Sequence, residues 1–325
     1  MAPQPGARGN SATNGALPMS KTLRLQIILV GSVVVAVVLI FLWKPTVLIY
    51  GVQRAGLYAA IALPMALILG IVHIVNLAHG ELMMVAAYIT YFLSRSLGVD
   101  PFVAMLITAP VMFGVGILIY KLTISHAVKA PELNQLILTF GVAMVLSQFV
   151  NLLTTSQPRK ISLDYVTASA TVGETSFGTY DFLFVGLAAV VLIGLQLFLK
   201  RTRLGQAATA VGQNPNGAAI IGINVQRTYT IVFAIAAALM GIIGTFFMTK
   251  FSIFPAVGGA YTMKSFCLVA MAGIGNLPMI VVGSLILAVA ESSIQAIPGG
   301  SGWAPLVFFA LIILVIMTRS LRRAS

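Results

Sequence analysis

The chain has 325 residues, of which 59% are hydrophobic and only 8% are charged, and its mean hydropathy is +1.03. Ordinary soluble domains are about 45–50% apolar and about 25% charged. The composition therefore excludes a soluble globular enzyme, a disordered chain and a secreted module held by disulfides. It also argues against an outer-membrane barrel, whose strands alternate polar and apolar residues. We predict an all-α, polytopic helical membrane protein.

The formal net charge is +12, from 19 Lys and Arg against 7 Asp and Glu. In a soluble protein such an excess favours nucleic acid as a partner, but here the charges lie in short loops between long apolar runs. Positive residues that fix orientation in the membrane and contact membrane lipid explain the excess better, and we expect no nucleic-acid partner. The one cysteine, Cys267, lies in an apolar run, so no disulfide can form within the chain and redox or zinc chemistry is disfavoured.

The N-terminal stretch Met1–Ser20 is rich in Gly, Pro, Ser, Ala and Asn. This composition predicts a disordered cytoplasmic tail over residues 1–24. The apolar run that follows is too long for the core of a signal peptide, and no small-residue cleavage site follows it before Lys44, which favours a retained first helix. We expect a transmembrane domain over residues 25–319, with a cytoplasmic loop at 200–227, and a cytoplasmic tail at 320–325.

Ten apolar stretches are free of Asp, Glu, Lys and Arg, and most approach the roughly 20 residues that a membrane-spanning helix needs. They predict about 8–10 transmembrane helices, with the lower numbers if a short run is re-entrant. The stretches are Leu25–Trp43, Ala55–Gly80, Leu82–Ser94, Phe102–Tyr120, Leu133–Pro158, Phe182–Leu199, Thr228–Thr249, Phe251–Met263, Ser265–Ala290 and Ser292–Thr318.

The positive residues predict the orientation. If the loop Lys200–Arg227 is cytoplasmic and the chain crosses ten times, the loop Lys121–Leu133 and both termini are cytoplasmic as well. These four segments hold twelve Lys and Arg residues, against six in the loops of the opposite side. The asymmetry follows the positive-inside rule.

Two interruptions are too polar and too short to be plain spans, and they lie in corresponding parts of two related halves. The first, Ile71–Glu81, reads IVHIVNLAHGE, and the second, Phe254–Lys264, reads FPAVGGAYTMK. Non-helical backbone at membrane depth is tolerated where it is buried in protein or lines a wet cavity, and discontinuous helices indicate a transport pathway. We expect the two interruptions to meet near the middle of the membrane. The candidate pathway residues are Asn76, His79, Gly80, Glu81 and Lys264.

Three charged residues fall within apolar surroundings, and a lone charge there is costly, so each needs a partner or water. Glu81, Lys264 and Glu291 are the candidates for a structural ion pair, and the residues alone leave open whether Lys264 pairs with Glu81 or with Glu291. Two further roles stay open for Glu81, the capping of a helix start and contact with a solute. His73 and His79 are six apart, which does not match the spacing of paired metal ligands on one helix face, so we expect no metal site.

The loop between the Lys200 and Arg227 positions has the pattern of two short helices. Asn214 is a typical N-cap, Pro215 then falls in the first turn, and Gly222 closes the second helix. The preceding stretch, Leu204–Val211, suits a short amphipathic helix. Such a capped unit in the cytoplasm has the form of a docking surface.

Three stretches together resemble the permease subunits of bacterial ABC importers, in the branched-chain amino acid (LivH-like) family. They are GIVHIVNLAHGELMMVAAY at Gly70–Tyr88, TRLGQAATAVGQNPNGAAIIGINV at Thr202–Val225 and MAGIGNLPMIVVGSLILAVAES at Met271–Ser292. The second is similar to the family's cytoplasmic coupling loop, and the likeness extends from about Tyr50 to Thr318. It implies that ATPase coupling falls to Gln213, Asn214, Pro215, Asn216 and Gly222.

The resemblance implies an assembly in the bacterial inner membrane. A second homologous (LivM-like) permease subunit would complete the pathway, two ABC ATPase subunits would dock at the coupling loop, and a periplasmic substrate-binding protein would deliver the solute. The chain has no GxxxxGK[ST] phosphate loop, so we expect no enzymatic activity of its own and no cofactor. Ala272 and Met279 replace glycines that are frequent in the family, and the end from Thr318 also differs, which leaves urea, amides and aromatic acids open as substrates beside branched-chain amino acids.

Two alternatives stay open at this point. A stand-alone secondary transporter or channel could use Glu81, Lys264 and Glu291 as a proton or ion relay, and a structural membrane subunit would need no pathway at all. The docking pattern at Gln213–Gly222 favours the ABC permease, because a transporter that works alone has no need of it.

Overall fold

The structure is a computed structural model that describes residues 45–128, 130–167, 169–172, 175–306, 308–310, 313 and 317. The predicted first helix, both predicted tails and much of the last apolar run lie outside these residues. Within them the chain is almost entirely helical, which confirms the all-α prediction. The helices are α1 (Pro45–Ile71), α2 (His79–Leu97), α3 (Pro101–Ile119), α4 (Glu132–Thr154), α5 (Phe182–Arg201), α6 (Arg203–Gln213), α7 (Pro215–Ile220), α8 (Val225–Lys250), α9 (Val257–Ala272) and α10 (Leu277–Gln295).

Six segments of the described chain are long and apolar enough to cross a membrane, so the protein is a multi-pass membrane protein. They are Thr46–Ile71, Pro101–Ala127, Glu132–Thr154, Thr179–Arg201, Val225–Lys250 and Leu277–Gln295. Helices α2 and α9 are not among them. Each begins at one of the two interruptions that the sequence predicted.

Several predicted boundaries were wrong because charged residues lie inside helices. Helix α1 begins ten residues before Ala55 and carries Arg54, and α9 runs through Lys264, so Phe251–Met263 is not a helix of its own. The predicted loop at Lys121 is largely helical, since α3 continues through a π-helical turn, Tyr120–Ile124. The predicted run Ser265–Ala290 breaks after Ala272, where Gly273 and Gly275 adopt positive φ angles of 89° and 82° that favour glycine.

Contacts between loops divide them into two groups at opposite ends of the helices. At one end the backbone of Gly212 lies against Gly70, and Tyr120 donates a hydrogen bond to Gln226. At the other end, called the outer end below, Lys250 forms a salt bridge with Asp181. The loops at Lys121 and Lys200–Arg227 therefore share one end, as predicted. Which end faces the cytoplasm stays a prediction.

A β-hairpin lies at the outer end, between α4 and α5. Its strands, β1 (Ser169–Val172) and β2 (Thr175–Gly178), pair antiparallel with Ser169 opposite Gly178. The side chain of Gln53 donates to the Gly178 carbonyl at 2.9 Å, which ties the hairpin to α1.

The core is built around α1 and α8. Helix α1 packs along α10 and α5, and α8 packs along α3 and α2. Helices α2 and α8 approach each other closely because small residues lie between them: a Cβ on Gly244 would lie 2.5 Å from the Met83 carbonyl oxygen. The hydroxyl of Thr90 lies 2.9 Å from that of Thr245 and 3.3 Å from that of Thr108, so hydrogen bonds join α2, α3 and α8. Helix α4 lies outside this core and is mostly exposed.

Candidate functional site

The first interruption is the non-helical segment 72–78 between α1 and α2. His73 has a φ of +58° where the chain leaves α1, and the Thr139 hydroxyl of α4 donates to the Val75 carbonyl at 3.1 Å. Asn76 is buried, and its side-chain oxygen accepts from the Ala78 amide at 3.0 Å. This segment returns the chain from the end of α1 towards its middle, where α2 begins.

His79 fixes the depth at which α2 begins. Its side chain is fully buried, and Nε2 lies 2.8 Å from the carbonyl oxygen of Ile61, in the middle of α1. Because a carbonyl can only accept, Nε2 must carry the proton of this hydrogen bond. Helix α2 therefore starts near the middle of the membrane-spanning part of the protein.

The start of α9 meets the start of α2 in direct backbone contact. A Cβ on Gly80 would lie 2.0 Å from the Gly258 carbonyl oxygen, and the Gly80 amide donates to the Thr262 hydroxyl at 2.7 Å. These contacts confirm that the two interruptions approach each other. We call the region formed by His79–Glu81 and Val257–Thr262 the junction.

Glu81 is 5% exposed and lies between the two helix starts. It is in the first turn of α2, and its carboxylate accepts from the Gly259 amide in the first turn of α9. The positive ends of both helix dipoles thus stabilise its negative charge. Three buried polar atoms in or beside the junction have no hydrogen-bond partner within the described chain: Asn76 Nδ2, His79 Nδ1 and Glu81 Oε2.

Lys264 pairs with Glu291. Its Nζ lies 3.1 Å and 3.2 Å from the two carboxylate oxygens of Glu291, and it donates to the Tyr58 hydroxyl at 2.6 Å. Tyr58 in turn donates to Glu291 at 2.8 Å, and Lys264 Nζ lies 4.3 Å from the centre of the Tyr58 ring. We call these three residues the lysine cluster. The alternative in which Lys264 pairs with Glu81 is wrong, since Glu81 has no ion pair among the residues that the structure describes.

The predicted coupling residues lie on a short helix that projects from the end opposite the β-hairpin. Asn214 is the N-cap of α7, and its side-chain oxygen accepts from the Gly217 amide at 2.9 Å. Pro215 occupies the first turn, and Gly222, with a φ of +87°, follows the helix where the Ile223 amide closes on the Ala218 carbonyl. The local pattern predicted from the sequence is therefore present, and the helix spans Pro215–Ile220.

The exposed side of α7 combines polar and apolar groups. Gln213, Asn214 and Asn216 are exposed, while Ala218 packs into the protein. Ile220 and Ile221 are 86% and 74% exposed. Two large apolar side chains held this far into solvent on a rigid, capped turn are typical of an interaction surface.

No three His, Cys, Asp or Glu side chains of the described residues come together in a way that could hold a metal ion. Cys267 is free and partly buried.

The sequence profile described as "Branched-chain amino acid transport system / permease component" matches residues 47–316, which includes the junction, the lysine cluster and α7. The chain belongs to this family. Its relatives are transport components, and this permease is similar over most of its length to three of them.

The branched-chain amino acid permease LivH of Escherichia coli K12 is 27% identical over 82% of this chain and 91% of its own. BraD of Pseudomonas aeruginosa is 27% identical over 84% of this chain and 92% of its own. The probable branched-chain amino acid permease LivH of Methanocaldococcus jannaschii is 26% identical, with 82% and 86% covered. No solved structure matches the permease significantly.

Sequence reasoning did not identify Tyr58 or Thr262. Tyr58 lies within an apolar run and has no distinguishing neighbour, so nothing in the sequence marks it as a partner of Lys264 and Glu291. Thr262 falls inside the second interruption, but a single hydroxyl among small residues gives no sign of its bond to Gly80. The predicted span Ala55–Gly80 begins just after Arg54, so the position of Arg54 inside α1 was also missed.

Proposed function

We propose that this chain is the transmembrane permease subunit of a bacterial ABC importer. It forms half of a pathway for branched-chain amino acids or a related small polar or carboxylate solute, such as urea, an amide or an aromatic acid. ATP hydrolysis in partner subunits drives transport. Family membership supports the permease class, and α7 supports the coupling to an ATPase.

Helix α7 is the single observation that carries the coupling proposal. A six-residue helix cannot persist alone in water, because forming its first turn is unfavourable. Here Asn214, Pro215 and Gly222 fix both ends, and Ala218 anchors it to the protein. The exposed Ile220 and Ile221 then form a rigid apolar docking site for an ATPase subunit. A movement of α7 is transmitted to the membrane helices through α6, because Gly212 of α6 lies against Gly70.

The junction is the proposed barrier of the pathway. The backbones of Gly80 and Gly258 touch, so no solute can pass between them as they stand. Alternating access requires the two helix starts to separate, and rigid helices that rock about their connections can provide this motion. Asn76, His79, Gly80 and Glu81 would then line the open route.

The proposed assembly contains a second homologous permease, two ABC ATPases and a periplasmic substrate-binding protein in the inner membrane. The relatives are named as branched-chain amino acid permeases, so branched-chain amino acids are the first solutes to test. The second permease subunit would pack against one face of this chain, and membrane lipid would cover the remaining exposed apolar surface.

The coupling proposal is tested by the triple substitution Asn214→Ala, Pro215→Ala and Gly222→Ala. Losing one cap weakens a helix by about 1 kcal/mol, and losing both ends should unfold α7 and release the ATPases. We expect copurification of the ATPases and ATP-dependent uptake to fall together, while the amount of folded permease stays the same.

Asp100→Ala is the matched control, because it removes an N-cap of α3 at the outer end, where Asp100 accepts from the Phe102 amide at 2.8 Å. This variant should keep its ATPases. Normal coupling in the triple variant would contradict the role of α7. Uptake driven by an ion gradient without any ATPase would support a stand-alone transporter instead.

The proposed orientation places α7 in the cytoplasm and the β-hairpin in the periplasm. Single cysteines at Ile220 and Glu174 in a Cys267→Ser background test this with a membrane-impermeant thiol reagent. We expect position 174 to react in intact spheroplasts and position 220 to react only after the membrane is opened. The reverse pattern would invert the topology.

A further inference from the structure

A cluster of positive charge lies where helix α5 turns into helix α6. We call this turn, residues 200–203, the basic corner, and its exposed cations are Lys200, Arg201 and Arg203. The turn is tightly held, because the Thr202 hydroxyl donates to the Phe198 carbonyl at 2.7 Å and accepts from the Gly205 amide at 2.9 Å. A Cβ on Gly205 would clash with the same carbonyl. The backbone that carries the three cations is therefore fixed.

The basic corner lies at the depth of the lipid headgroups. The membrane span Thr179–Arg201 ends at its second cation. Helix α5 has 20 residues, so it is about 30 Å long, which matches the thickness of the hydrocarbon core. Side chains that extend from this end of α5 can reach the level of the lipid phosphates.

An exposed apolar face of α5 leads directly to the basic corner. Val190, Ile193 and Leu197 are 68%, 56% and 53% exposed, and their spacing of three and four residues places them on one side of the helix. The next positions in this series are the first two cations of the corner. Leu204, just beyond the corner, is 51% exposed. This order of apolar face and cations matches the acyl chains and the phosphate of one lipid molecule.

The basic corner lacks a carboxylate partner among the described side chains, since none lies within 4.0 Å of its cations. Residues 1–44 and 311–325 contain no Asp or Glu. Asp164 and Glu174 belong to the part of the chain that forms the outer-end β-hairpin and the turn before it, at the opposite end of the helices. Clustered cations of this kind beside a membrane attract anionic lipid.

We propose that the basic corner binds the phosphate of an anionic phospholipid, with the acyl chains along the exposed face of α5. The guanidinium groups of Arg201 and Arg203 can each donate two N–H groups to phosphate oxygens, and Lys200 adds a third positive charge. The inference goes beyond the proposed function, because it requires neither a particular solute nor an ATPase. Free phosphate offers the same oxyanion chemistry without the acyl chains.

The position of α6 favours lipid over an ATPase as the occupant of the basic corner. Helix α6 has 11 residues and is therefore about 16 Å long, with the corner at one end and α7 at the other. Its buried residues Gly205, Ala208 and Val211 hold it against the protein. The corner thus stays beside the exposed face of α5, a full helix length from the docking site on α7.

The test measures binding of phosphatidylglycerol to the purified full-length permease, with the subunits that copurify with it, by native mass spectrometry. In the double variant Arg201→Gln, Arg203→Gln we expect the affinity for phosphatidylglycerol to fall about tenfold, because cations near the membrane surface each add to the attraction. Arg201→Lys, Arg203→Lys keeps both charges and should bind more tightly than the glutamine variant. Arg95→Gln, Lys160→Gln is the matched control, which removes two exposed cations at the outer end and should bind like the unaltered protein.

Competition with inorganic phosphate separates the two sources of the oxyanion. Phosphatidylglycerol that stays bound in an excess of inorganic phosphate supports a lipid site, since the acyl chains add contacts on α5. Complete displacement would overturn it in favour of a site for free phosphate. An equal loss of affinity in the outer-end control would show a response to net charge alone and would also overturn it.

The same variants separate a lipid site from an ATPase interface. Unchanged affinity for phosphatidylglycerol in Arg201→Gln, Arg203→Gln, together with a loss of copurifying ATPases, would overturn the proposal and assign the corner to the ATPase. Unchanged affinity with the ATPases retained would overturn it as well. Neither result affects the coupling proposal, which depends on the substitutions in and beside α7.

Discussion

Two buried carboxylates in this permease meet their electrostatic requirements in different ways. Glu291 is held by Lys264 and the Tyr58 hydroxyl, so charged and polar side chains bind both of its oxygens. Glu81 is equally buried but depends on the Gly259 amide and two helix starts, and its Oε2 has no partner in the described chain. Glu291 thus has partners for both carboxylate oxygens, whereas the stabilisation of Glu81 depends on the starts of α2 and α9 staying together.

The difference indicates which part of the protein moves. Separating Lys264 from Glu291 would leave two charges unpaired at membrane depth, which is costly, so the lysine cluster should hold α1, α9 and α10 together through the cycle. Separating the helix starts at the junction exchanges two hydrogen bonds, from the Gly80 amide to Thr262 and from the Gly259 amide to Glu81, for hydrogen bonds to water or solute. We therefore assign the fixed role to the lysine cluster and the moving role to the junction.

The largest expected effect comes from breaking one side of the lysine cluster. Lys264→Met leaves Glu291 buried with only the Tyr58 hydroxyl, and removal of one partner of a buried pair costs about 3–5 kcal/mol. We expect the yield and thermal stability of folded permease in detergent to fall sharply. The double variant Lys264→Met, Glu291→Leu removes both charges and should recover most of the stability, which distinguishes an ion pair from a loss of packing. A stable single variant would contradict the fixed role.

A smaller effect is expected from crowding the junction. The Cβ of Gly80→Ala would clash with the Gly258 carbonyl and lie 2.6 Å from the Thr262 hydroxyl, and overpacking costs about 1–3 kcal/mol. The two helix starts should be forced apart, so uptake should fall more than the amount of folded protein. Gly186→Ala on α5 is the control, because a Cβ there meets nothing within 4 Å. Equal behaviour of the two variants would show that the contact at Gly80 has no role in transport.

The sequence predicted the class of fold and the local pattern of α7 because both depend on short-range signals. Length and hydropathy identify spans, and Asn214, Pro215 and Gly222 act on their own helix. It also predicted that the interruptions meet, since short helices need neighbours at membrane depth.

Sequence reasoning could not choose the partner of Lys264. That choice depends on the packing of α9 against α10 and α1, which brings Glu291 and Tyr58 to the same place. The same packing explains the wrong helix boundaries: Lys264 is tolerated inside α9 because Glu291 balances it. A rule that ends every predicted span at a charged residue is wrong where a partner distant in sequence balances that charge.

Glu81→Gln tests the moving role of the junction most directly. The amide side chain is nearly the same size and its oxygen can still accept from Gly259, so the permease should fold, but the charge that draws the two helix starts together is lost. In the reconstituted importer, at matched amounts of folded protein, we expect ATP hydrolysis to persist while uptake falls. A lower yield of folded permease, with normal uptake by the protein that remains, would contradict this account and show that Glu81 only holds two helices together.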